Sequence, residues 1–242
     1  MELTDPAFAI LVFGSFLAAL CSAAFSAGGA MIILAVTTTV LPVSAIVPIH
    51  STLLIGSTAT RKVLFWNYID WDIAAPFLVG SAVGAFIGAR IYIELPDTFI
   101  ATAISIVMLI SIWLPSISWR PKMRHPWAIA GFLHSLLSTL FAYGAVLQAI
   151  ILHTDLNRRQ IVGTMAGCLF GMSAFKIAGY VAVGFDYTPY LKVIVAGLVV
   201  AFIGTWVGRK IVDRISETLF RAAYRGLVTV TAIRLLYVSL TV

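Results

Sequence analysis

The chain has 242 residues, of which 61% are hydrophobic and 11% charged, with a mean hydropathy of +1.02. A soluble domain carries roughly 45–50% apolar and about 25% charged residues, so a soluble globule, a disordered chain and a nucleic-acid module are excluded. The 16 Lys+Arg against 10 Asp+Glu leave a net charge of +6. These basic residues fall between long apolar runs rather than in one patch, as in a membrane protein with basic cytoplasmic loops.

Met1-Glu2-Leu3-Thr4-Asp5-Pro6 has no basic n-region, so the apolar run behind it reads as a retained segment and not as a secretory signal. Residues 6–41 form an apolar stretch interrupted by Ser26-Ala27-Gly28-Gly29, a broken hairpin with at least one short leg. Spans of about 20 apolar residues are predicted at 46–65, 72–93 and 97–115. A second broken hairpin is expected over 127–153, interrupted near Tyr143-Gly144, followed by spans at 160–182, 189–208 and 217–240. Cys21 and Cys168 lie inside apolar segments and imply no disulfide framework.

The two halves run in parallel. Each opens with a broken hairpin and continues with a helix bearing a cation, Arg61-Lys62 in one and Lys176 in the other. A glycine-rich helix ending in a basic residue follows, then a last apolar helix. An odd number of crossings per half inverts the second half relative to the first. The expected fold is therefore all-α: a polytopic membrane protein of two inverted repeats, each a broken hairpin plus three transmembrane helices. The division is 1–115 for the first repeat, 116–126 for a basic cytoplasmic linker and 127–242 for the second repeat. With the N-terminus outside, Arg61-Lys62, Arg120-Lys122-Arg124, Arg158-Arg159 and Arg209-Lys210-Arg214 all fall inside, in keeping with the positive-inside bias.

Several motifs, taken in order, resemble the TauE/SafE sulfite exporter family. They are Val47-Pro48-Ile49-His50-Ser51-Thr52, Tyr68-Ile69-Asp70-Trp71-Asp72, Gly80-Ser81-Ala82-Val83-Gly84-Ala85-Phe86-Ile87-Gly88-Ala89-Arg90, Gly204-Thr205-Trp206-Val207-Gly208-Arg209-Lys210 and Ile215-Ser216-Glu217-Thr218-Leu219-Phe220-Arg221. The resemblance covers nearly the whole chain. It implies a transporter of the bacterial cytoplasmic membrane that exports sulfite, sulfoacetate or related organosulfonates. The first hairpin departs from the family pattern, having only Gly28-Gly29, with the next proline after them at Pro42.

Chemistry is expected where polar groups lie in apolar helices. A charge in hydrocarbon costs a few kcal/mol and should face a partner or a polar path. Lys176 lies well inside its helix, and no acidic residue lies within a helix interior to pair with it, so a transported anion is its natural counter-ion. Arg61 and Lys62 are its counterparts, with snorkelling to the surface as the bland alternative. Ser51, Ser57, Thr58, Thr164 and Ser173 are hydroxyl donors on the same two helices, each equally able to bond its own backbone. Gly28, Gly29 and Gly144 mark the breaks, where free N–H groups of a helix start favour an anion. His50 and His134 are proton-coupling candidates because a histidine titrates near neutrality, and His50, beside Ser51, is also a binding candidate. Glycines every four residues (Gly80, Gly84, Gly88; Gly163, Gly167, Gly171) provide smooth packing faces, either within the monomer or in a homodimer. Trp66, Trp71, Trp119 and Trp127 read as an interfacial belt.

The favoured activity is thus secondary export of a small anion by alternating access, with the lipid bilayer as surroundings and no nucleic-acid partner. A passive anion channel is the alternative. A membrane enzyme is disfavoured: His50 and Ser51 point about 100° apart on a helix, and no metal-ligand spacing or Walker A pattern is present, so no metal, cofactor or ATP drive is expected.

Overall fold

The computed structural model describes residues 5–25, 29–113, 126–142, 144, 146–151, 153–211 and 217–241. Among these the regular structure is entirely helical: α1 Asp5–Phe25, α2 Gly29–Val40, α3 Val43–Leu64, α4 Trp71–Tyr92, α5 Asp97–Trp113, α6 Pro126–Phe141, α7 Val146–Ile151, α8 Arg158–Ala182, α9 Leu191–Ile211 and α10 Glu217–Thr241, with single 3₁₀ turns at Trp66–Tyr68 and Thr188–Tyr190. Among the described residues six helical segments are long and apolar enough to cross a membrane: Asp5–Ala23, Val43–Leu64, Trp71–Tyr92, Arg158–Ala182, Thr188–Gly208 and Ala222–Thr241. Six spans were also expected from the sequence, but the set differs in one member. The first leg of the first hairpin is itself of spanning length, whereas α5 has 17 residues, the lower end of the roughly 17–25 that a bilayer requires. The short legs are α2, with 12 residues, and α7, with 6. The expected linker, with Trp119, Arg120, Lys122 and Arg124, lies outside the described residues apart from Pro126, which opens α6.

Helix starts carry ordinary local signals. Asp70 caps α4, its carboxylate accepting the N–H groups of Asp72 and Ile73, and Asn157 with Gln160 forms a reciprocal capping box at α8. Pro48 lies within α3 and Pro76 within α4, as membrane helices tolerate when neighbours satisfy the freed carbonyls.

The chain folds into two compact units that do not follow its two halves. The first comprises Met1–Ser57, Pro96–Leu114 and Asp186–Val242; the second comprises Thr58–Leu95 and Pro115–Phe185. In the first unit α1 packs along α9, and α10 packs on α5 and α2. Gly204 and Gly208 of α9 bring that helix against the carbonyls of Phe16 and Leu20 in α1, where an added Cβ would lie 2.5 Å from either oxygen. Trp113 Nε1–H donates to Thr229 Oγ1 at 3.2 Å, and the Arg234 guanidinium donates to the Thr39 carbonyl at 3.2 Å, near the end of α2.

In the second unit α4 packs along α6 and α8. Gly80 and Gly84 face the α6 carbonyls of Ala128 and Phe132, and Gly131 faces the Phe77 carbonyl in return. Backbones can approach this closely only where side chains are missing. The glycines of α8 do the same: Gly163 lies against the Phe65–Tyr68 turn, Gly167 against Ile69 and Gly171 against Leu78. Beneath them lies a core of Ile69, Ala74, Phe77, Ala130, Leu147, Ile150, Ile151 and Cys168. Three of these residues belong to α7, so a helix too short to persist alone is held by tertiary packing. Trp127 also packs against this core, and so differs from the exposed Trp66–Trp71 edge-to-face pair. The start of α6 is drawn against α4, and its indole goes with it.

The first leg of each hairpin therefore packs on the glycine-rich helix of the other half of the chain: α1 on α9, and α6 on α4.

Candidate functional site

The polar centre of the second unit lies where α6 ends. Ala142 sits at φ +56° and its N–H donates to the Ser138 carbonyl at 3.1 Å, a left-handed cap that stops the helix. The last carbonyls of a helix are short of donors, and α8 adds two, one of them to the Ser138 carbonyl that Ala142 already reaches. Lys176 Nζ donates to the Ser138 carbonyl at 2.8 Å and to Ser138 Oγ at 3.0 Å. One turn further along α8, Tyr180 Oη donates to the Thr139 carbonyl at 2.6 Å.

Lys176 is 1% exposed. Insertion of a lysine at the centre of a membrane helix costs about 2.5–3.5 kcal/mol. The Ser138 acceptors and the negative end of the α6 dipole offset part of that cost. Among the described residues no carboxylate pairs with Lys176. Its two bonds to Ser138 leave one of the three ammonium hydrogens uncommitted among the described residues.

His134 is fully buried on the same face of α6, one turn before Ser138. Its Nδ1 accepts the Leu147 N–H at 2.9 Å, tying the hairpin's second leg to its first. Phe77 meets the ring edge-on at a centroid distance of 5.8 Å. Accepting at Nδ1 requires a lone pair there, so the ring hydrogen is on Nε2. Gly144 lies beside that nitrogen: a Cβ on it would be 3.4 Å from Nε2. The Lys176 charge acts electrostatically on the ring. Lys176, His134 and Gly144, singled out separately in the sequence, are thus brought together.

The remaining candidates are distributed differently. Ser173 is buried on α8, one turn before Lys176. Thr164 lies 12 residues before Lys176, about 18 Å by helical rise, and its hydroxyl accepts the Asp70 N–H at 2.9 Å. It fixes the entry to α4 and is not brought to Lys176. On α3, Ser51 Oγ donates to the Val47 carbonyl at 2.7 Å and Ser57 Oγ to the Leu54 carbonyl at 3.2 Å, so both bond the backbone of their own helix. His50 Nε2 meets the Ala30 carbonyl at 2.9 Å and pins α3 to the start of α2. Gly29 is buried against Ala18 and Ser22; Gly28 lies outside the described residues. Thr58 is buried and Arg61 half-buried. The Lys62 ammonium sits over the Trp66 ring at 5.1 Å and the Phe170 ring at 4.2 Å, a cation–π platform near the end of α3.

Ser138, Ser135 and Tyr180 had not been singled out. Their signal was present in the spacing: His134 and Ser138 are four apart, as are Lys176 and Tyr180, and each pair shares a helix face.

A family model described as sulfite exporter TauE/SafE matches residues 11–235, whereas no curated protein and no solved structure matches the chain. That match runs through both hairpins and includes His134 and Lys176, and with nearly the whole sequence inside it the chain belongs to the sulfite exporter TauE/SafE family, a family of membrane transporters.

Proposed function

We propose that the protein is a secondary transporter that exports small sulfur-containing anions (sulfite, sulfoacetate or related organosulfonates) across the bacterial cytoplasmic membrane. Alternating access between two inverted repeats is the mechanism, and the N-terminus lies outside. Family membership supports the class. The observation that carries the anion reading is Lys176: a buried ammonium held by uncharged acceptors, without a carboxylate among the described residues. Such a charge is most stable when a mobile anion neutralises it during part of the cycle. Ser173, one turn away, extends the polar face of α8 towards the same place.

The deciding experiment is sulfite efflux from proteoliposomes containing the purified protein. Saturable flux that follows an imposed ion gradient is the expected result. Unsaturable flux with large single-channel currents would instead assign the protein as a passive anion pore.

A further inference from the structure

Two polar atoms of α6 stand out because their hydrogen bonding is incomplete, and one of them, on His134, lies near Lys176. His134 Nε2 and Ser135 Oγ are buried without a hydrogen-bond partner among the described residues. Buried polar groups in native proteins are nearly always satisfied, so an orphaned donor calls for a specific occupant. The orphan on His134 is aimed: Nδ1 is occupied by the Leu147 N–H, so Nε2 carries the hydrogen, and that hydrogen faces the break at Gly144. A side chain at residue 144 would cover it. Ser135, the next residue of α6, points about 100° away from His134 on the helix, whereas the third Lys176 hydrogen is one helical turn from His134, at Ser138.

We infer that the break of the second hairpin holds an oxyanion group bearing a single negative charge, with His134 Nε2–H as a neutral, specificity-determining donor and Lys176 as the only cation facing it among the described residues. This rests on the anion-transport reading and narrows its substrate class. The Leu147 N–H excludes a hydrogen on Nδ1, so the ring contributes a donor but no second charge. The α6 C-terminus presents its negative dipole end and two carbonyls to the same region. A dianion bound there would leave one negative charge buried and uncompensated, which proteins resist strongly. A sulfonate or hydrogensulfite fits; a sulfate or a sulfite dianion does not. A substrate with two charged ends places only one of them here.

Methanesulfonate and sulfate separate these cases, being close in size and differing by one charge. The test measures thermal stabilisation of the full chain in detergent by each anion at matched ionic strength, for wild type, His134→Asn, His134→Gln and Gly144→Ala. A bound ligand raises apparent stability by mass action. Wild type should respond to methanesulfonate at tenfold or more lower concentration than to sulfate. Asn keeps an acceptor for the Leu147 N–H but has no donor at the Nε2 position, so His134→Asn should stay folded and bind methanesulfonate about tenfold more weakly. Gln restores a donor near that position and should recover part of the loss. Gly144→Ala leaves the ring untouched and covers Nε2, so it should also weaken binding and decides the matter should the His134 variants fail to fold. Equal response to the two anions, or wild-type binding in both His134→Asn and Gly144→Ala, would overturn the inference. Saturable sulfite flux alongside such a negative result would leave the transport reading standing. Absence of flux alongside discriminating binding would overturn transport and leave the monoanion site.

Discussion

Lys176 serves two purposes that a substitution can separate. It caps the α6 carbonyl of Ser138 and it supplies the buried charge. Lys176→Met keeps most of the side-chain volume while removing the charge, and replacing a buried charge by an apolar group is often neutral or stabilising. The variant is expected to retain or raise the apparent Tm in detergent while losing at least tenfold in sulfite flux. Unchanged flux would reduce Lys176 to a helix cap. Ala142 offers a stability test at the same break. A non-glycine residue at positive φ is uncommon, and a β-branched one is an outlier. Ala142→Val should therefore lower the apparent Tm, by the equivalent of about 1–2 kcal/mol, as scanning calorimetry would show. Outside the membrane-spanning segments, Asp186 accepts the Thr188 N–H at 2.8 Å, and bonds to Thr188 hold its carboxyl below the usual value. Its contribution is present above the ordinary carboxylate value of about 3.9 and is lost as pH falls through the lower folded value. Asp186→Asn should flatten the acid limb of stability against pH, measured by thermal unfolding at pH 2–5.

At the scale of elements, the glycine rows proved to be packing surfaces. They were legible in the sequence as i, i+4 repeats, but their partners were not. A glycine row states that something approaches closely; which backbone does so depends on pairing between segments far apart in the chain. Gly80 faces the Ala128 carbonyl and Gly131 faces the Phe77 carbonyl. Neither contact leaves room for a methyl group. Gly80→Ala and Gly131→Ala should each destabilise by about 1–3 kcal/mol or more through overpacking. Gly226, in α10, has nothing within 4 Å of an added Cβ; Gly226→Ala should gain about 0.5–1 kcal/mol from helix propensity alone. Opposite shifts in apparent Tm for these two kinds of variant would distinguish close packing from a general intolerance of substitution. The hydroxyls of α3 show the limit of residue-type reasoning. Ser51 and Ser57 were candidate ligand donors, and both turn back to carbonyls of their own helix, because a short hydroxyl in an apolar helix finds the nearest acceptor first.

For the whole molecule, the distribution of basic residues and the order of apolar segments make a topological prediction. Asn67 and Glu94 flank α4, a helix of 22 residues and so about 33 Å long. With Cys21 and Cys168 replaced by alanine, Asn67→Cys should react with a membrane-impermeant maleimide only in inside-out vesicles, and Glu94→Cys only in right-side-out ones. The reverse pattern would overturn an external N-terminus.

The sequence by itself determined the class of environment, the number of long apolar segments, the two hairpins and the family, because these follow from composition, periodicity and motif order along the chain. It also marked Lys176, since a charge inside an apolar run is conspicuous without any coordinates. Only the tertiary structure decided that the first leg of each hairpin packs on the glycine-rich helix from the other half, that Lys176 bonds the end of α6, and that the Leu147 N–H sets which His134 nitrogen carries hydrogen. Those facts depend on which backbone groups a helix end leaves unpaired and on what distant segment arrives to meet them, and no local pattern of residues encodes that meeting.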